Sequence, residues 1–188
     1  MGATTLVLGG TRSGKSAVAE RLATGFAGPD AAVTYVATAM VGEDTSMAER
    51  VAAHRSRRPA SWTTVDAGGD LPALLRSLDG VVLLDALGPW VAWLGDSPVP
   101  VDDLCAALVE RAGETVVVSE EVGLSVHPPT AAGRAFVDAL GSLNQSVAAV
   151  ADDAWLVVAG RVLALASPAA VLASLPSPDD PGTPGVPS

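Results

Sequence analysis

The sequence predicts an α/β fold: a mainly parallel sheet flanked by helices on both faces. Three observations carry this. Apolar runs alternate with segments at helical spacing along most of the 188 residues. Several of those runs are continuous Val/Leu stretches without polar alternation, as expected for strands buried on both faces. A glycine-rich turn joins the first run to the first helical segment, and strand, helix, strand is the pattern of crossover connections.

In chain order, strands are expected at TTLVLG (4–9), AVTYVAT (32–38), VVLLD (81–85), TVVVSE (115–120), WLVVAG (155–160) and RVLAL (161–165). Helices are expected at GKSAVAERLAT, DTSMAERVAAHRSR, DLPALLRSL, VDDLCAALVERA and the long AGRAFVDALGSLNQSVAAVA. Together they make one domain over 1–166. The remainder, 167–188, reads as a proline-rich, disordered tail. Its last stretch, PSPDDPGTPGVPS, holds five prolines and two glycines and has no apolar period.

Composition narrows the function. The single cysteine, Cys105, excludes a disulfide framework within the chain and a cysteine metal cluster; its setting, LCAALVE, reads as a core position. No charged segment leads into an apolar one at the start, so no secretory signal is expected. The most lipid-like stretch, WLVVAGRVLALA, is divided by Gly160 and Arg161 and is too short to span a bilayer. A cytoplasmic protein without membrane insertion is expected. The formal net charge of −10 argues against nucleic acid as a partner. Yet six of the eleven basic residues lie in two short segments: Arg12 with Lys15, and Arg50, Arg55, Arg57 and Arg58. In an acidic chain, that clustering marks a local site for an anion.

The first segment explains the anion. Gly9, Gly10, Thr11, Arg12, Ser13, Gly14, Lys15 and Ser16 match GxxxxGK[ST], after a strand and before a helix, which is the context the motif requires. Glycines let backbone N–H groups turn toward phosphate oxygens, helped by the positive end of the following helix. Lys15 would reach the β and γ phosphates, and the Ser16 hydroxyl would bind Mg²⁺. VVLLD then supplies Asp85 as the strand-end carboxylate that holds the metal; the competing reading is a helix cap. A nucleoside triphosphate and magnesium follow. A kinase, an NTPase and a nucleotide switch all remain open at this point.

The second segment is MAERVAAHRSRRPASW, 47–62. On a helix, Met47, Val51, His54 and Arg58 share one face, with Arg50 a turn before the histidine. Alone, such a histidine reads as a solvated surface residue. Cationic neighbours would keep its imidazole neutral and nucleophilic near pH 7, and arginines could hold a phosphate while nitrogen attacks phosphorus.

GGTRSGKS, YVAT, RVAAHRSRRPASW, LLD, SEEVGLSVHP and LNQSVAAVADDAWLVVAG occur in order over about 4–165. In these motifs the chain resembles the bifunctional adenosylcobinamide kinase/adenosylcobinamide-phosphate guanylyltransferase family of cobalamin synthesis. The resemblance implies a P-loop NTPase-type, RecA-like fold and two reactions. ATP or GTP phosphorylates adenosylcobinamide; GTP then places GMP on a histidine, from which it passes to adenosylcobinamide phosphate. It implies that His54 is the guanylylated residue and that Lys15 and Asp85 are catalytic. It also implies nucleotide contacts at Ala37, Thr38, Ala39, Arg55, Ser56, Arg57, Arg58, Asp66 and Asp85. Glu121 and Arg134 fall on the side of the second substrate, and a homotrimer is implied. The chain departs from the family's pattern in places. Asn-Glu-Val-Gly reads Glu120-Glu121-Val122-Gly123, Gly-Ile-Val-Pro reads Ser125-Val126-His127-Pro128, and ALGPWVAWLG replaces the polar residues that often follow the acidic strand end. His127 reads as structural or exposed. Asn144 and Gln145 match the family's Asn-Gln without an evident chemical role.

Overall fold

The computed structural model describes residues 2–28, 32–38 and 59–175. Seven strands form one sheet in the order β3-β2-β4-β5-β1-β6-β7. They are β1 (Thr4–Gly9), β2 (Val33–Ala37), β3 (Thr63–Asp66), β4 (Val81–Asp85), β5 (Thr115–Glu120), β6 (Asp153–Val158) and β7 (Arg161–Ala164). Every pairing is parallel except that of β6 with β7. The helices are α1 (Lys15–Ala27), α2 (Leu71–Ser77), α3 (Leu87–Leu94), α4 (Val101–Glu110), α5 (Ala131–Val150) and α6 (Pro168–Ala173).

The central strands form because both of their faces find cover. β1 is buried at all six positions and β5 at five of six, so the side chains alternate between two cores. Leu6, Leu8, Val82, Leu84 and Val117 join residues of α2, α3, α4 and α5 on one face. Val7, Leu83, Val116 and Val118 meet Ala19 and Ala23 of α1 on the other. Helices cover both faces of the sheet, as expected, and each fully buried leucine adds about 2 kcal/mol by burial. Alanines on α1 let that helix lie against the strands, and because it follows β1 through a short loop, its N-terminus sits at the carboxyl edge of the sheet.

The elements differ from expectation at four places. β3 is a short edge strand, TTVD, with no residue fully buried, so it lacks the apolar run that marks a central strand. α3 contains Gly88 and Pro89, which read as a loop, but Pro89 lies in the first turn, where a missing N–H costs nothing. β6 starts two residues early, at Asp153. Finally, the disordered tail expected from residue 167 opens instead with α6: Ser167 caps it by accepting the Ala170 N–H, and Pro168 fits its first turn. None of its residues is buried. Residues 176–188 and the expected helix at 44–57 lie outside the described residues. No helix among the described residues is long and apolar enough to cross a membrane.

Candidate active site at the carboxyl edge of the sheet

The parallel order sets β5 between β4 and β1, so three chain segments end side by side: Gly9 of β1, Asp85 of β4 and Glu120 of β5. The loop from Gly9 to Ser16 leaves β1 and turns directly into α1. Gly9 is required there, because a Cβ would lie 2.4 Å from Ser13 Oγ and 2.8 Å from the Val157 carbonyl. Arg12 and Gly14 both take positive φ, 58° and 96°. The Ser13 amide donates to the Gly10 carbonyl (3.2 Å), and the Ser13 carbonyl accepts from the Gly160 amide (2.8 Å). The loop is thus propped from behind by the turn between β6 and β7. No acidic residue lies in the first turn of α1, which leaves the positive end of its dipole available to an anion.

Lys15 extends along the loop to within 3.6 Å of Glu120 Oε1. Ser16 Oγ donates to Asp85 Oδ1 (3.4 Å), and the Tyr35 hydroxyl donates to Asp85 Oδ2 (2.9 Å). The hydroxyl and carboxylate predicted to hold magnesium are therefore neighbours. They are hard oxygen donors, and among the described residues no group of three or more Asp, Glu, His or Cys side chains is arranged to hold a metal ion by itself. A hydroxyl and a carboxylate side by side fit an ion completed by phosphate oxygens, as Mg²⁺ takes them.

The other predicted contacts divide. Ala37 and Thr38 end β2 beside Asp85: the Thr38 hydroxyl donates to the Ala86 carbonyl, the Ala86 amide donates back to it (2.9 Å), and the Ala37 carbonyl accepts from Ala67 (2.8 Å). Asp66 is exposed at the end of β3, in register with Ala37. Glu121 Oε1 accepts from the Gly123 amide (2.7 Å), while Arg134 donates to the carbonyls of Pro128 (3.3 Å) and Pro129 (3.1 Å). Both shape the loop over 121–130, in which His127 is exposed. Ala39, His54, Arg55, Ser56, Arg57 and Arg58 lie outside the described residues.

Two residues gain roles that spacing did not reveal. Asn144 of α5 is buried; its amide donates to the Glu120 carbonyl (3.0 Å) and its carbonyl accepts from Ser119 Oγ (2.6 Å). It fixes the end of β5, whereas Gln145 is exposed. Glu120, which in sequence is only a departure from the family's asparagine, is the residue facing Lys15.

The chain is similar to known proteins over most of its length. The family described as cobinamide kinase / cobinamide phosphate guanyltransferase matches residues 5–165. The chain is 41% identical over 169 residues to a protein of Pseudomonas aeruginosa named bifunctional adenosylcobalamin biosynthesis protein CobP, covering 85% of this chain and 95% of that one. It is 34% identical over 177 residues to the Escherichia coli bifunctional adenosylcobalamin biosynthesis protein CobU, covering 82% and 95%. Among solved structures, the flagellar accessory protein FlaH of Methanocaldococcus jannaschii aligns with a TM-score of 0.47 and 16% identity, over 85% of this chain and 74% of that one. With the glycine loop, the acidic strand end and the match across 5–165 in agreement, the chain belongs to the cobinamide kinase / cobinamide phosphate guanyltransferase family.

Proposed function

We propose that this chain carries out two successive transfers of cobalamin synthesis at one nucleotide site. In the first, ATP or GTP gives its γ-phosphate to the hydroxyl of adenosylcobinamide. In the second, GTP gives GMP to His54 with release of pyrophosphate, and the GMP passes to adenosylcobinamide phosphate to yield adenosylcobinamide-GDP. The observation that supports this most is the Lys15, Ser16 and Asp85 cluster at the carboxyl edge, found in a chain of this family.

The residues would divide the work as follows. Amides of Gly9 to Ser16 and the N-terminus of α1 cradle the phosphates, and Lys15 neutralises them. Ser16 and Asp85 would hold Mg²⁺, which supplies charge stabilisation to the phosphate oxygens. Arg55, Ser56, Arg57 and Arg58 would hold the nucleotide beside His54, with Ala37, Thr38, Ala39 and Asp66 completing its contacts. Glu121 and Arg134 would support the loop on the corrinoid side. The domain would span 1–166 and act in the cytoplasm as a homotrimer.

GTP labelled at the α-phosphate, given with magnesium and no corrinoid to the wild-type chain and to His54→Ala, tests the covalent step. Acid-labile label should remain on the wild type and be absent from the variant. If neither retains label while both bind GTP, the guanylyl-histidine is excluded, and transfer of γ-phosphate to adenosylcobinamide then tests the kinase step alone.

A further inference from the structure

We propose that Glu120 is the proton acceptor for the alcohol in the phosphoryl-transfer step of this chain, a role that rests on the kinase reading above. The carboxylate is placed by three constraints. It ends β5, which lies between β4, ending in Asp85, and β1, from which the glycine loop leads to Lys15. Asn144 pins its backbone carbonyl (3.0 Å). Its Oε2 accepts from the Gly88 amide in the first turn of α3 (3.1 Å). Gly88 is the residue that permits this approach, since a Cβ there would lie 2.2 Å from Oε2. One oxygen is thus anchored and the other, Oε1, points at Lys15 Nζ (3.6 Å).

A triphosphate reaching the glycine loop recruits Lys15 and leaves Oε1 without its counter-ion, next to the phosphate being transferred. The other nearby carboxylates of the described residues are engaged elsewhere. Both oxygens of Asp85 accept hydroxyls, from Ser16 and Tyr35, and Glu121 is turned onto the Gly123 amide. The alcohol oxygen attacks the γ-phosphorus, and the bond from that phosphorus to the bridging oxygen breaks with its electron pair leaving on the nucleoside diphosphate. The hydroxyl proton passes to Oε1. The Glu120 side chain is 29% exposed against 12% for Lys15, so the proton can then leave to solvent, and the carboxylate returns to Lys15 as product departs.

The test compares γ-phosphate transfer to adenosylcobinamide by the wild type and Glu120→Gln, with the affinity for a non-hydrolysable triphosphate measured in parallel. Glutamine keeps the shape and an acceptor for the Gly88 amide, and removes the charge and the proton-accepting oxygen. The expected result is a fall in kcat of about 100-fold, in the range of general base catalysis, with triphosphate binding no weaker than wild type. A fall below about tenfold, or one matched by an equal loss of affinity, overturns the proposal. Should the glutamine variant not fold, Glu120→Ala assayed with added formate replaces it: a rate restored by formate supports the role, and a rate indifferent to formate overturns it. A wild type that transfers no γ-phosphate at all would instead overturn the kinase reading.

Discussion

The two ends of the sheet handle charge in opposite ways. At the amino end, Arg111 is buried at 4% exposure. It donates to the Leu75 carbonyl (2.8 Å), the Gly80 carbonyl (2.8 Å), Thr115 Oγ1 (3.0 Å) and the Leu78 carbonyl. Glu114 and Asp152 nearby accept the amides of Ala3 (3.1 Å) and Thr4 (2.7 Å). These charges are satisfied mainly by backbone carbonyls and amides. At the carboxyl end, Lys15 and Glu120 face each other across 3.6 Å, and both sides of the pair reach solvent. A charge tied to fixed carbonyls or amides stabilises the fold and is unavailable to a ligand. A charge tied to another side chain can exchange that partner for a phosphate. One sheet therefore carries a sealed end and an exchangeable end, and its six parallel strands, with their carboxyl termini together, are what separate them.

The strongest way to break this comparison is to remove the seal. Burial pulls the Arg111 guanidinium below its ordinary pKa, with Asp79 acting in the opposite direction, so its charge is held against desolvation by its hydrogen bonds. Arg111→Ala strands three carbonyls that join the end of α2 to the start of β4. Unsatisfied buried groups cost about 1–3 kcal/mol each, so a loss of roughly 4 kcal/mol and a fall in Tm on the order of 10 °C are expected. Nucleotide affinity of the protein that remains folded should be unchanged, because the effect is confined to the amino end. A fall in triphosphate affinity at temperatures well below the transition would show that the two ends are coupled.

Asn144 sharpens the comparison, because it is a sealed element beneath the exchangeable end. Asn144→Ala leaves the Ser119 hydroxyl and the Glu120 carbonyl without their shared partner. A loss of roughly 2 kcal/mol is expected, or a Tm lower by roughly 4–8 °C. Unlike Arg111→Ala, it should also slow γ-phosphate transfer, because it loosens the strand end that carries Glu120. Melting curves and kcat measured on the same preparation separate the two effects. A variant with lowered Tm but wild-type kcat would make Asn144 purely structural.

The sequence is legible where one segment contains its own cause. β1, β4 and β5 read as buried strands because each is a continuous apolar run, and the glycine loop reads because GxxxxGKS needs only its flanking strand and helix. β3 did not read, since an edge strand of four half-exposed residues has no pattern to detect. α3 did not read, since Gly88 and Pro89 mask a helix whose buried Trp90 and Val91 become evident only once the sheet is in place. Within the candidate site, Lys15 and Asp85 are legible by motif. Glu120 was seen as an oddity of sequence, because its approach to a residue 105 positions away depends on β5 inserting between β4 and β1. Asn144 was matched without a role for the same reason: its partners belong to another element.

The smallest expected effect lies where the edge hairpin touches the loop. β6 and β7 are joined by Ala159 and Gly160 alone, with φ of 50° and 73°. Positive φ at both central residues is the two-residue turn that favours Asn-Gly. Alanine in this region carries a Cβ cost of about 1 kcal/mol that asparagine largely avoids. Ala159 is exposed, so Ala159→Asn changes little else. A gain of roughly 0.5 kcal/mol and a rise in Tm of about 2 °C are expected. The same turn donates the Gly160 amide to the Ser13 carbonyl of the glycine loop (2.8 Å), so triphosphate affinity is the informative second readout. An unchanged affinity would mean that the hairpin only supports the loop, and that the strain at Ala159 is incidental. An affinity that shifts with the gain in stability would mean that this strain helps set the shape of the loop that receives the phosphates.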